Sequence, residues 1–243
     1  MNPQFAVGGP ERNRLRSLFI VSLPRSISTL IHYQCSLTLR LRSPAWVDAG
    51  EILNPDRSFI FSGSLANEAD KFTPPEQALR FAQLSEFLDD VIDPYDCVYK
   101  DVVQPFVVSQ WLRQSSLAVL HIRRPVAEVA WAMLKRGWLY PGNAEPRDHP
   151  EKRRIITGLA KAAQVLDQIN AEHLDFDQLT TSEAGLKEAL QRLYPELQIP
   201  LINYIDRNFR ERSATLKSKR CADLEWQAFQ QEVTELVSSA TVE

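Results

Sequence analysis

Arg25, Ser26, Ser28 and Thr29 crowd into one short stretch directly after the apolar run Leu18-Phe19-Ile20-Val21. A guanidinium grips two oxyanion oxygens at once, and hydroxyls and helix-terminal N–H groups complete an anion cradle. Two further polar clusters follow apolar runs in the same way: Lys100-Asp101 after Cys97-Val98-Tyr99, and Arg123-Arg124 after Leu117–Ile122. In parallel sheets ligands sit beyond the carboxyl ends of the strands. Cations and hydroxyls at three such ends point to binding of a phosphate-like group.

The stretch from Leu18 to Arg40 is the one the others are arranged around. Its apolar run suits a buried parallel strand, Pro24 resists continuing that strand, and a helix is expected from about Ser28 to Leu41. Ser26 or Ser28 is the expected N-cap. The loop is no Walker A motif: there is no glycine between Gly9 and Gly50 and no lysine before Lys71, so the cation in the turn is Arg25.

The elements that must hold these groups alternate. A short strand is expected at Ala45–Ala49, a loop or lid over 56–73, a helix from Pro74 to about Val91 and a strand at Cys97–Asp101. There follow a helix over Pro105–Gln114, a strand at Leu117–Ile122, a helix from Pro125 to about Arg136 and a loop over 138–150. Then come a long helix over Glu151–Asn170, a strand at His173–Phe176, a helix over Ser182–Leu193 and further helices to the C-terminus. This is the pattern of an α/β fold: three layers, with a mostly parallel central sheet flanked by helices and a helical C-terminal part. One domain over 1–243 is expected, with 1–16 a loose leader and 200–243 a helical extension.

Composition fits a folded chain, 44% hydrophobic and 24% charged. No apolar run reaches the length of a membrane span, and three scattered cysteines make neither a disulfide framework nor a zinc site, so a cytoplasmic setting is expected. Charge is divided: six arginines against one glutamate in 1–42, four basic against twelve acidic residues in 48–101, eight against four in 120–154, and six against one in 207–220. Three basic segments that converge would suit a ligand with several phosphates. With the whole chain at −3 and no recognised module, a nucleic-acid partner is not expected.

Pro24-Arg25-Ser26-Ile27-Ser28-Thr29-Leu30 resembles the 5′-phosphosulfate loop of the PAPS-dependent sulfotransferases (PRSGST or PKSGTT), with Ile27 at the usual glycine. Leu120–Trp131 is similar to that family's 3′-phosphate segment, a strand ending in Arg-x-Pro before a helix. Arg123 matches its arginine, and Trp131 stands at its serine. The resemblance covers about residues 18–195 and implies a P-loop-NTPase-like sulfotransferase fold. It implies PAPS as donor, adenosine 3′,5′-bisphosphate as product and no metal, with Arg25, Ser26, Ile27, Ser28, Thr29 and Arg123 binding the cofactor.

Sulfuryl transfer also needs a base for the acceptor and cations for the leaving oxygen. Arg25 and Lys100 are the candidate cations. Val102 stands where the cytosolic branch has its histidine base, so Glu51, in the manner of other branches, is the first choice, with Asp101 and His32 as alternatives. The implied acceptor is a hydroxyl or amine of a small molecule or glycan. Aromatics in or near loops (Trp46, Phe59, Phe61, Trp111, Trp138, Tyr140) are candidates to line its pocket. The alternatives are a P-loop-type phosphotransferase and a non-catalytic sulfotransferase-like binding protein.

Overall fold

The strand β1 (Leu18–Ser22) is buried along its whole length because it has neighbours on every side. In this computed structural model, which describes residues 14–44, 51–53, 71–72, 76, 78–182, 184–202 and 207–240, it lies inside a four-stranded sheet of order β2-β1-β3-β4. The partners are β2 (Val98–Asp101), β3 (Ala118–Arg123) and β4 (Glu172–Asp175), and all pairings are parallel. Leu18 and Ile20 point into one apolar cluster, with Ile31, Cys35, Leu186 and Leu190. Phe19 and Val21 point into the other, with Val107, Val129, Ile155 and Leu159. Two buried faces are why the strand reads as an unbroken apolar run.

Helices fill both outer layers. On the first face lie α1 (Ser28–Leu39), α6 (Phe176–Thr181) and α7 (Gly185–Leu193). The second carries α2 (Ala78–Val91), α3 (Pro105–Leu112), α4 (Val126–Leu134), α5 (Glu151–Asp167) and α9 (Leu224–Ala240). Ahead of α9, α8 (Arg207–Cys221) completes the helical C-terminal part. The expected α/β, parallel, three-layer architecture is what the chain adopts. Among the described residues no helix is long and apolar enough to cross a membrane.

Several expectations are corrected. The helix expected over Ser182–Leu193 is α7, which begins at Gly185; a further short helix, α6, precedes it, and Ser182 takes extended backbone (φ −107°, ψ 133°) between the two. The loop expected over 138–150 contains a short 3-10 helix at Tyr140–Ala144, started by Pro141. Of the leader, residues 14–16 are tied down: Arg14 pairs with Asp93 and Asp96 at 3.2 and 3.1 Å, and Tyr194 Oη donates to the Arg16 carbonyl at 2.9 Å. Residues 1–13, the strand expected at Ala45–Ala49, and 54–70 with Phe59 and Phe61 lie outside the described residues, as does Trp46.

Trp131 is an anchor of packing. Its ring meets Trp226 at 5.5 Å and Phe229 at 5.0 Å, so α9 is clamped over α4. Trp111 is likewise structural, 6.1 Å from Phe19 with its Nε1 donating to Asp89 at 2.8 Å.

At Gly158 the backbone of α5 runs close against the Tyr140–Ala144 segment. A Cβ at Gly158 on α5 would lie 2.0 Å from the Pro141 carbonyl oxygen. Gly158→Ala must therefore push the Tyr140–Ala144 segment off α5. A loss of about 1–3 kcal/mol in urea unfolding is expected, the cost typical of overpacking; unchanged stability would mean the two segments are not in contact.

Candidate functional site

The order β2-β1-β3-β4 puts a change of direction at β1. The chain leaves β1 into α1 on one face, but leaves β2 and β3 into α3 and α4 on the other. Crevices open on each side of the loop after β1, at the carboxyl ends of the strands. The larger is a cavity of about 1590 Å³ whose lining includes Pro24–Leu30, Glu51, Lys71, Trp138, Tyr140 and Arg154. A second, of about 400 Å³, is lined by Leu23, Arg123, Arg124, Asp167 and Phe176 among others.

The loop backbone is unusual. Arg25 (φ 65°) and Ile27 (φ 54°) both occupy the left-handed region, which costs non-glycine residues about 1–3 kcal/mol each. The expected serine cap is corrected: Ile27 itself is the N-cap of α1, with ψ 16° and no side-chain capping bond. Its carbonyl accepts the first helical bond from Ile31 N–H at 3.1 Å. Ile27 thus takes the positive φ that glycine takes without strain. Ser26 and Ser28 are buried in the loop, while Arg25 and Thr29 are exposed on it.

Lys100 is wholly buried at the end of β2, and its Nζ donates to Thr29 Oγ1 at 2.7 Å and to Glu51 Oε1 at 2.9 Å. Glu51 reaches it through a parallel bridge of the 51–53 segment beside β2, where Ile52 N–H donates to the Lys100 carbonyl at 2.9 Å. One ammonium thereby ties the loop hydroxyl to a carboxylate on the same cavity wall.

Asp101, expected among the catalytic groups, has a different task. It is buried, and its carboxylate accepts N–H bonds from Leu53 at 3.1 Å, Val103 at 3.0 Å and Gln104 at 2.8 Å. It ties the 51–53 segment and the turn after β2 together from inside. Burial pushes its pKa up to about 7, against the pull of the three amides. His32 is buried with Nε2 3.2 Å from the Val98 carbonyl oxygen, and burial lowers its pKa to about 4. It is a neutral packed residue on the cavity wall.

Basic side chains converge here from all three basic segments. Arg25 and Arg136 flank the Trp138 ring, 5.6 and 5.8 Å from its centroid. Burial, and then the charge of Arg136, lower the Arg25 pKa. Arg124 donates to the Arg25 carbonyl, lies over Phe176 at 4.1 Å and pairs with Glu128 at 3.0 Å. From α8, Arg220 approaches the same Glu128 at 3.6 Å. An anion in the loop would relieve the mutual repulsion of these guanidiniums.

Arg123 is placed away from the loop's larger cavity. Its Nε donates to Asp167 Oδ1 at 2.9 Å, and it lines the smaller cavity beside Arg124. Of the two arginines, Arg124 is the one that touches the loop. Lys71, Arg136 and Arg154 also belong to the site but precede or follow no recognisable motif, so spacing alone gave no signal for them.

No protein-family model matches the sequence, and no curated protein matches it. Among solved structures the chain is similar to a sulfotransferase domain from the curacin biosynthetic pathway. Identity is 16%, the TM-score is 0.42, and the match covers 79% of this chain and 77% of that one. A likeness that loose carries no argument about chemistry.

The Asp101 cap has a pH signature. The folded state holds its proton up to about pH 7, while the unfolded carboxyl releases it near 3.8, so folding binds more protons in between. Its contribution to stability is therefore full below pH 4 and declines as pH rises towards 7. Asp101→Asn should remove that slope and, by turning an amide N–H₂ towards a backbone donor, cost about 1–3 kcal/mol. Urea unfolding of both proteins across this range checks it; parallel pH profiles would contradict the assignment.

Proposed function

We propose that the protein is a sulfotransferase that moves a sulfuryl group from PAPS to a hydroxyl or amine of a small-molecule or glycan acceptor. The observation that carries this reading is the Thr29–Lys100–Glu51 chain. It joins a strained, hydroxyl-bearing loop of anion-binding type to a buried ammonium and a carboxylate on one cavity wall.

In this reading the phosphosulfate sits on the loop residues Arg25, Ser26, Ile27, Ser28 and Thr29. The acceptor lies in the larger cavity against Trp138 and Tyr140. The acceptor oxygen or nitrogen attacks sulfur, forming the new bond as the bond from sulfur to the bridging oxygen breaks. The electron pair leaves on the 5′-phosphate, giving adenosine 3′,5′-bisphosphate, and the acceptor proton passes to the Glu51 carboxylate. Lys100 and Arg25 stabilise the charge that grows on the bridging oxygen. Arg123 and Arg124, in the smaller cavity on the far side of the loop, are the groups suited to the 3′-phosphate. No metal is invoked for this transfer. Nucleic acid has no part in it, and a cytoplasmic setting supplies the donor.

Calorimetry with adenosine 3′,5′-bisphosphate, ATP and ADP tests the donor. Binding of the bisphosphate alone, weakened at least about tenfold in Arg25→Ala, is expected, since a charge-assisted bond is worth about 1.5–3 kcal/mol. Preference for ATP with magnesium would favour a phosphotransferase instead. In a sulfate-transfer assay over an acceptor panel, Glu51→Gln should lower kcat about 10²–10⁴-fold. Lys100→Met should lower it about 10²–10³-fold. Full turnover by Glu51→Gln would reject the base assignment, and binding without transfer to any acceptor would leave a binding protein.

A further inference from the structure

The smaller cavity has a wall that sulfuryl transfer does not use. His121 on β3 and His173 on β4 are register partners in parallel strands, so their side chains leave the sheet on the same face. Their Nδ1 atoms stand 3.2 Å apart, with rings at 69° and centroids 5.3 Å apart. From the C-terminal end of α5, Asp167 brings Oδ1 to 3.6 Å from His121 Nδ1, and the three ligand atoms all lie within 4.8 Å of one another.

We propose that His121, His173 and Asp167 form a binding site for a divalent transition metal of the zinc class. With metal–nitrogen distances of about 2.0–2.1 Å, the edge between two ligands of a tetrahedron is about 3.3 Å. The His121–His173 and His121–Asp167 separations fall close to that edge. Two imidazoles and one carboxylate suit zinc or cobalt and not magnesium or calcium, which take oxygen ligands. Burial favours the uncharged imidazole, the form that ligates.

The surroundings match a ligating set. Arg123 Nε donates to Asp167 Oδ1 at 2.9 Å, orienting the carboxylate as an outer partner does. Both His121 and Asp167 line the 400 Å³ cavity, which supplies an entry path and room for a water as fourth ligand. A bound ion would tie the end of α5 to the β3–β4 pair, which it otherwise meets here through the side-chain contacts of Asp167.

Chelator-treated full-length protein, with no nucleotide present, is titrated with Co²⁺ while visible absorption is recorded, and Zn²⁺ is then added. The site predicts one equivalent of Co²⁺ with intense tetrahedral d–d bands, displaced by Zn²⁺. It also predicts a loss of affinity of at least about 100-fold in His173→Gln and in Asp167→Asn. Cys221→Ser, at the exposed cysteine, should bind as the parent does. Absence of the bands in the parent protein overturns the proposal whatever the variants do. So does binding that survives both ligand substitutions, and the histidines are then a hydrogen-bonded pair. Because nothing in this titration depends on PAPS or on transfer, its outcome is separate from that of the functional reading above.

Discussion

A lysine with no exposed surface at the end of β2 imposes a condition on everything around it. An ammonium taken out of water must find anionic and neutral acceptors or lose its charge. Lys100 finds them in Glu51 and Thr29, which come from opposite sides of β2 in space and from distant parts of the chain. The 51–53 segment must run parallel beside β2 to deliver Glu51, and α1 must begin where it does to present Thr29. Asp101, one residue on, holds that arrangement from beneath by accepting amides from both the segment and the following turn. Two adjacent residues on one strand face opposite ways, as pleating requires, and do different jobs. Lys100 joins two groups of the cavity wall, Thr29 and Glu51, and Asp101 stitches the backbone.

The loop after β1 carries the corresponding cost. Left-handed backbone at Arg25 and Ile27 is unfavourable for an arginine and worse for a β-branched residue, and it persists only where neighbours over-determine it. Those neighbours are identifiable. Arg124 donates to the Arg25 carbonyl, Lys100 grips Thr29, and Ile27 packs against the cluster that contains Ile31 and Leu39. The strain is thus held by polar contacts at the two edges of the loop and by apolar burial beneath it. A loop held open in this way presents Arg25 and Thr29 without waiting for a ligand to organise it.

The fold was legible because its signals are local and redundant. Continuous apolar runs marked β1 and β3, helical spacing marked α5, and turn residues separated them. The loop stood out by its residue types and Lys100 by the apolar run Cys97-Val98-Tyr99 before it, whereas the strand expected ahead of Glu51 lies outside the described residues. The sequence reading of the loop failed on conformation: serines are good caps, yet tertiary contacts gave the cap position to Ile27. It also read the Arg-x-Pro segment by position, where the structure turns Arg123 to Asp167 and brings Arg124 to the loop. Neighbouring residues at a strand end point to opposite sides, and no spacing in the chain says which side holds the ligand.

The pairing of His121 with His173 marks a different limit. Fifty-two positions separate them, a distance set by α4, the 3-10 segment and α5 together, and it obeys no ligand-spacing rule. Sheet register alone makes them neighbours, and register follows from which strand lies beside β3. The order β2-β1-β3-β4 therefore does two things at once. It opens the crevices around the β1 loop, and it sets two imidazoles side by side, that of His121 on the wall of one of them. A single topological choice, made by packing helices on both faces of one buried strand, accounts for both.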